Sequence, residues 1–160
     1  MKPRMNYYAP MPEMVGHLQS ISELLRKSDL DQEIYHLVQI RASQLNHCAF
    51  CLDMHVKEAR MSGIGELKLH TVAAWEESPL FSDRERIALQ WAETVTLVSE
   101  THIPDDAYAA ARSEFSEKEL ALLTMAVVTI NAWNRLAVSF RPTPGSLDKQ
   151  LGLEKAALSA

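Results

Sequence analysis

"SEKELALLTMAVVTINAWNRLAVSF", residues 116–140, is the stretch on which the fold turns. Its opening, Ser116-Glu-Lys-Glu119, is a capping box, in which a serine and a glutamate three residues later satisfy each other's backbone amides at a helix start. A helix begins here and ends before Pro142, which cannot continue one. From residue 120 to 138 the segment is apolar on nearly every side. It lacks the strict alternation of a half-buried strand. A helix apolar all round must be buried, either centrally or against another subunit. Asn131, Trp133, Asn134 and Arg135 interrupt the run, and buried polar groups need partners. They either contact another subunit or sit near the thiols, and the subunit contact is the preferred expectation.

The rest of the chain repeats the helical signal. Pro12 suits the first turn of a helix over about residues 13–27, with Val15, Leu18, Ile21, Ser22 and Leu25 on one face. Asp29 or Asp31 caps the next, where Leu30, Ile34, Leu37, Val38 and Leu45 keep helical spacing and Arg41 joins through its stem. A third runs from about Cys48 to Met61, stopped by Gly63. Residues 66–75 form a shorter helix carrying Leu67, Val72 and Trp75. A second capping box, Ser82-Asp-Arg-Glu85, opens a helix to about Val98, and Pro104 starts another over residues 105–113. The reading is all-α, with about six to seven helices. Residues 1–145 make a single domain and residues 146–160 a C-terminal tail or short helix.

Composition narrows the function. The formal charge of the 160-residue chain is −5, with Lys and Arg scattered, so no basic patch invites nucleic acid. The N-terminus is broken by Pro3, Pro10 and Pro12 and lacks the apolar core of a secretory signal. The longest apolar run, around residues 121–130, falls short of the roughly 20 needed to cross a bilayer. The expectation is a cytoplasmic protein with no membrane partner. There, two cysteines imply metal or redox chemistry sooner than a structural disulfide. No glycine-rich phosphate loop or Gly-x-Ser-x-Gly sequence points to a nucleotide or a serine hydrolase. No cofactor is expected.

Both cysteines fall in "NHCAFCLDMH", residues 46–55. On a helix, Cys51 lies about 60° from Cys48 and His55 about 20° from it, so sulfurs and imidazole share one face. The helix start favours a thiolate, and a histidine one turn on can take or give a proton. Two thiols three apart can close into a disulfide that exchange reopens. The set suits reversible two-electron thiol chemistry. Other readings are two small buried hydrophobes, or zinc completed by His36 or His47. Zinc usually draws on two separated ligand pairs, and no second pair exists here, so no metal is expected. A thioredoxin-like domain would need strands. Arg41, Gln44 and His47 read as surface or interface residues.

"LVQIRASQLNHCAFCLDMHVKEAR", residues 37–60, resembles the alkyl hydroperoxidase D (AhpD)-like proteins of the carboxymuconolactone decarboxylase superfamily. Residues 81–98 and 130–145 look like the same subgroup. The resemblance implies an oligomeric all-helical fold, trimeric or hexameric, with an active site between helices. It implies hydroperoxide reduction, with Cys51 as the peroxidatic thiol, Cys48 resolving it to a disulfide, and His55 as acid and base. An external dithiol or redox protein would reset the cycle. The family pattern carries a glutamate twelve residues before the first cysteine. His36 stands there instead. It is a candidate proton relay, and altered pH dependence is expected, because an imidazole cannot hold His55 as an imidazolium. The superfamily also implies a lactone decarboxylase or isomerase as an alternative. A non-catalytic redox sensor or scaffold is a third.

Overall fold

A computed structural model describes residues 2–156. Among these, every regular element is helical. They are α1 (Pro12–Arg26), α2 (Gln32–Leu45), α3 (Ala49–Met61), α4 (Glu66–Thr71), α5 (Asp83–Thr96), α6 (Val98–Thr101), α7 (Asp105–Glu114), α8 (Glu117–Phe140) and α9 (Asp148–Leu151), with 3-10 turns at Val72–Ala74 and Leu153–Ala156. Only α6 and α9 are single turns. The seven longer helices agree with the count read from the sequence.

Both capping boxes form: Ser82 with Glu85, and Ser116 with Glu119. Asp31, not Asp29, caps α2, accepting from the amides of Glu33 at 2.8 Å and Ile34 at 3.2 Å. Asp29 is spent on Lys118 instead. The expected helix over 66–75 tightens to 3-10 geometry at Val72, turning Trp75 into the core. The helix expected to reach Val98 breaks at Leu97, where Thr101 Oγ1 bonds back to the carbonyl of Thr94 at 2.8 Å.

Two helices make the centre. α2 is buried almost continuously from Ile34 to Ser43 and packs on α3, α5 and α8. Leu120, Leu123, Ala126 and Val127 of α8 meet Ile34, Tyr35 and Val38 of α2 and Ala88, Trp91 and Ala92 of α5. Fully burying a side chain such as Leu123 contributes about 1.5–3 kcal/mol. α8 is long and apolar enough to cross a membrane by length and composition alone. In this fold it is the helix against which α1, α2 and α5 close.

α8 stops at Arg141, which takes a left-handed conformation (φ 55) ahead of Pro142. Beyond it the chain folds back as a short helix. Lys57 Nζ on α3 bonds Asp53 at 2.9 Å and Asp148 at 2.7 Å. Leu153 and Ala156 are buried, and their turn packs on α3. Residues 157–160 of the expected tail lie outside the described residues.

Candidate active site

α2 ends at Leu45, and the chain reverses through Asn46 and His47 before Cys48 caps α3. His47 makes the reversal in a left-handed conformation (φ 51) and is exposed. Cys48 takes the place usually held by Ser or Asp. Its sulfur accepts the backbone amide of Cys51 at 3.3 Å. Both cysteines are free thiols and buried, at 3% and 1% exposure.

The two sulfurs are electrostatically unequal. A hydrogen bond from the Cys51 thiol lowers the Cys48 pKa against the opposing effect of burial, helped by the amides of Cys51 and Phe50 and by Asn134. The same thiol–thiol hydrogen bond, then burial, pushes the Cys51 thiol up. Of the two, Cys48 is the more readily ionised.

A polar network from α8 braces the α2–α3 turn that carries the thiols. Asn46 Nδ2 bonds the side-chain oxygens of Asn131 and Asn134, each at 3.0 Å. Asn134 Nδ2 donates to Ser43 at 3.1 Å, and Asn131 Nδ2 to Thr96 at 2.9 Å. These asparagines satisfy one another inside the chain, and Asn134 helps hold the Cys48 pKa down.

His55, one turn beyond Cys51, is 4% exposed. Its Nδ1 lies 2.8 Å from Glu58 Oε2, and the other Glu58 oxygen lies 3.4 Å from Arg26. Burial works against the Glu58 charge, yet the bond and charge of His55, with Arg26 and His36, hold its carboxyl below the ordinary range. An ionised carboxylate only accepts, so Nδ1 carries the proton and Nε2 offers a lone pair. Among the described residues Nε2 has no hydrogen-bond partner.

His36 does not substitute for a glutamate against His55. Its Nε2 lies 3.0 Å from Ser62 Oγ, its Nδ1 is unpartnered among the described residues, and burial lowers its pKa. Glu58, a residue not singled out in the sequence, supplies His55 with a carboxylate from the next turn of the same helix. The i,i+3 spacing His55-x-x-Glu58 was the available signal. Arg41 lies elsewhere, with its Nε 2.6 Å from Glu93 and its guanidinium 3.3 Å from Gln44.

A cavity of about 980 Å³ opens on this constellation, lined by Cys51, His55, Glu58, Tyr35 and Gln39 and walled by apolar groups that include Phe50, Met54, Val15 and Trp133. Cys51, not Cys48, faces it. A concave, mostly apolar space with a few convergent polar groups is the usual form of a small-molecule site. A second cavity, of about 450 Å³, lies beside α5, where Arg86 is spent on four backbone carbonyls and Glu93 on Arg41 and Trp75. Among the described residues no three His, Cys, Asp or Glu side chains converge as a metal-holding group.

A helical fold with a Cys-x-x-Cys-x-x-x-His site at a helix start matches one known class. The sequence profile of the carboxymuconolactone decarboxylase family matches residues 12–94, and the chain belongs to that family as an AhpD-like member. It is 32% identical over 139 residues to the uncharacterised protein YdfG of Bacillus subtilis, covering 87% of this chain and 95% of that one. Its fold superposes with a TM-score of 0.86 on a crystal structure from Agrobacterium tumefaciens, a protein of unknown function associated by name with the antioxidant defence protein AhpD. That likeness carries 41% identity over 89% of this chain and 97% of the other. A peroxidase-related protein from Ralstonia eutropha, described by its AhpD core, shares the fold at 19% identity, with a TM-score of 0.77 over 87% of this chain and 74% of that one.

Proposed function

We propose that this protein is a thiol-dependent peroxidase that reduces hydroperoxides through a Cys48–Cys51 dithiol/disulfide cycle. The observation that carries the reading is a pair of buried free thiols at the start of α3, with Cys51 lining the same cavity as His55, whose Nε2 is unpartnered among the described residues. The AhpD-like kinship supports it.

The first step needs charge on Cys51. Its proton passes to His55 Nε2, and Glu58 steadies the imidazolium that forms. The Cys51 thiolate attacks the terminal peroxide oxygen and the O–O bond breaks. The leaving alkoxide takes the proton from His55, giving the alcohol and a sulfenic acid on Cys51. Cys48, whose thiolate the helix amides favour, then attacks the Cys51 sulfur, expelling hydroxide that becomes water. An external dithiol reopens the disulfide by exchange and leaves oxidised in its place.

His36 relays protons in this scheme. Its buried ring joins the exposed Ser62 on one side and offers a free Nδ1 on the other, a route between the site and solvent. The cycle requires a reducing compartment such as the cytoplasm. Met125, Val128 and Val138 on the outer face of α8 are about half exposed and support assembly with further copies.

The reading is tested by peroxide-dependent oxidation of a dithiol donor. Cys51→Ser abolishes turnover. Full turnover in that variant would refute the assignment.

A further inference from the structure

The cavity over Cys51 is roofed in part by a segment with no helical structure, residues 3–8, whose Pro3, Met5, Asn6, Tyr7 and Tyr8 line it. This segment is tied down. The Arg4 amide bonds the Phe140 carbonyl at 2.9 Å, and the Arg4 guanidinium bonds the Ser139 carbonyl at 3.0 Å. Both acceptors belong to the end of α8, where helix carbonyls lack intrahelical partners. The Tyr7 ring packs 5.6 Å from Phe140 and stacks on Tyr8 at 4.6 Å. Around it the chain is exposed, yet Tyr7 itself is only 2% exposed.

A tyrosine buried from a surface segment normally finds its hydroxyl a partner. Among the described residues the Tyr7 hydroxyl reaches only the Tyr8 hydroxyl, at the long limit of 3.5 Å. Burial, then the bond and charge of Tyr8, then the charges of the two cysteines keep its phenol protonated far above its ordinary range. It is thus a fixed donor without a strong acceptor, on the wall it shares with Cys51 and His55.

We propose that Tyr7 is a catalytic hydrogen-bond donor to the leaving oxygen of the peroxide, delivered to the Cys51 site by the anchored N-terminal segment. The inference rests on the peroxidase reading above. When Cys51 attacks, negative charge grows on the oxygen that departs, and a preorganised donor in a dry site stabilises that charge more than the starting peroxide. His55 supplies the proton; the phenol gives a hydrogen bond and keeps its own. The atoms balance as before: thiol and hydroperoxide become sulfenic acid and alcohol.

The test compares Tyr7→Phe, which keeps the ring and its packing, with wild type on two oxidants. Cumene hydroperoxide expels a strongly basic alkoxide; peracetic acid expels a weakly basic carboxylate that needs little help. Arg4→Ala, which loosens the segment and keeps the phenol, tests the delivery. The expected result is a loss in kcat/KM of about 10- to 100-fold for Tyr7→Phe with cumene hydroperoxide, against less than about threefold with peracetic acid. Arg4→Ala should reproduce the selective loss in weaker form, because it unsettles the donor without removing it. An equal effect of Tyr7→Phe on both oxidants, or none, overturns the inference, as does an equal loss on both oxidants in Arg4→Ala. If wild type consumes neither oxidant, the peroxidase reading fails first and takes this inference with it.

Discussion

Replacing Glu58 by glutamine keeps the shape of the side chain and removes its charge. The structure sets the size of the effect. The Glu58–His55 contact is 2.8 Å and the Glu58 side chain is only 16% exposed, so solvent screens it weakly. A buried charge-assisted bond of this kind is worth about 1.5–3 kcal/mol. The interaction strengthens as His55 takes the Cys51 proton, because the imidazole becomes a cation facing a carboxylate. The loss therefore falls on the chemical step: kcat drops about 10- to 150-fold with KM little changed. The glutamine amide can also donate to His55 Nδ1, which would move the imidazole proton to Nε2 and blunt the base. The assay is steady-state oxidation of a dithiol by cumene hydroperoxide, with thiol alkylation against pH in parallel. A Glu58→Gln variant that keeps half or more of wild-type kcat would refute the role given to this carboxylate.

Other outcomes follow from the same contacts. Cys48→Ser should leave Cys51 able to attack once, trapping a sulfenic acid that dimedone labels; absence of the adduct would count against Cys51 as the attacking sulfur. If His36 relays protons, His36→Gln slows turnover severalfold in weak buffer and added imidazole restores it; a variant indifferent to imidazole removes the relay. Burial depresses the His36 pKa below its ordinary 6.5, so the unfolded chain binds the extra proton first, and the stability His36 contributes above that pH is lost as pH falls toward its folded value. Urea midpoints measured between about pH 7.5 and about pH 5.5 should therefore fall less in His36→Gln than in wild type. Asn134→Ala strips partners from Asn46 and Ser43, costs about 2–4 kcal/mol, and raises the Cys48 pKa; a thermal melt with thiol titration checks both. If a double Cys48→Ala, Cys51→Ala variant processed a lactone, the decarboxylase alternative would take the place of the peroxidase reading.

The helices were legible where local chemistry decides them. Ser82 with Glu85, Ser116 with Glu119, and Pro142 mark their boundaries by side chains within one turn. The shared face of Cys48, Cys51 and His55 is likewise a property of one short helix. Glu58 was equally local, one turn past His55, but the family pattern drew the search for a carboxylate upstream to His36. Other features were out of reach for a physical reason. Whether Asn134 serves the thiols or a neighbouring subunit depends on how α8 crosses the α2–α3 corner, 88 residues away from Asn46. Tyr7 lies in a segment without periodicity, and only the tertiary closure of that segment on the end of α8 brings it to the cavity. The breaks at Val72 and Leu97 arise where Trp75 and Thr101 are drawn inward, which propensity alone does not record.

The most direct measurement is a single-turnover oxidation. Fully reduced protein is mixed with one equivalent of cumene hydroperoxide, and its free thiols and intact mass are read. The account predicts that both thiols disappear together, that the mass falls by two hydrogen atoms, that peptide mapping joins Cys48 to Cys51, and that one equivalent of alcohol forms. Two thiols surviving with the peroxide unconsumed would contradict it.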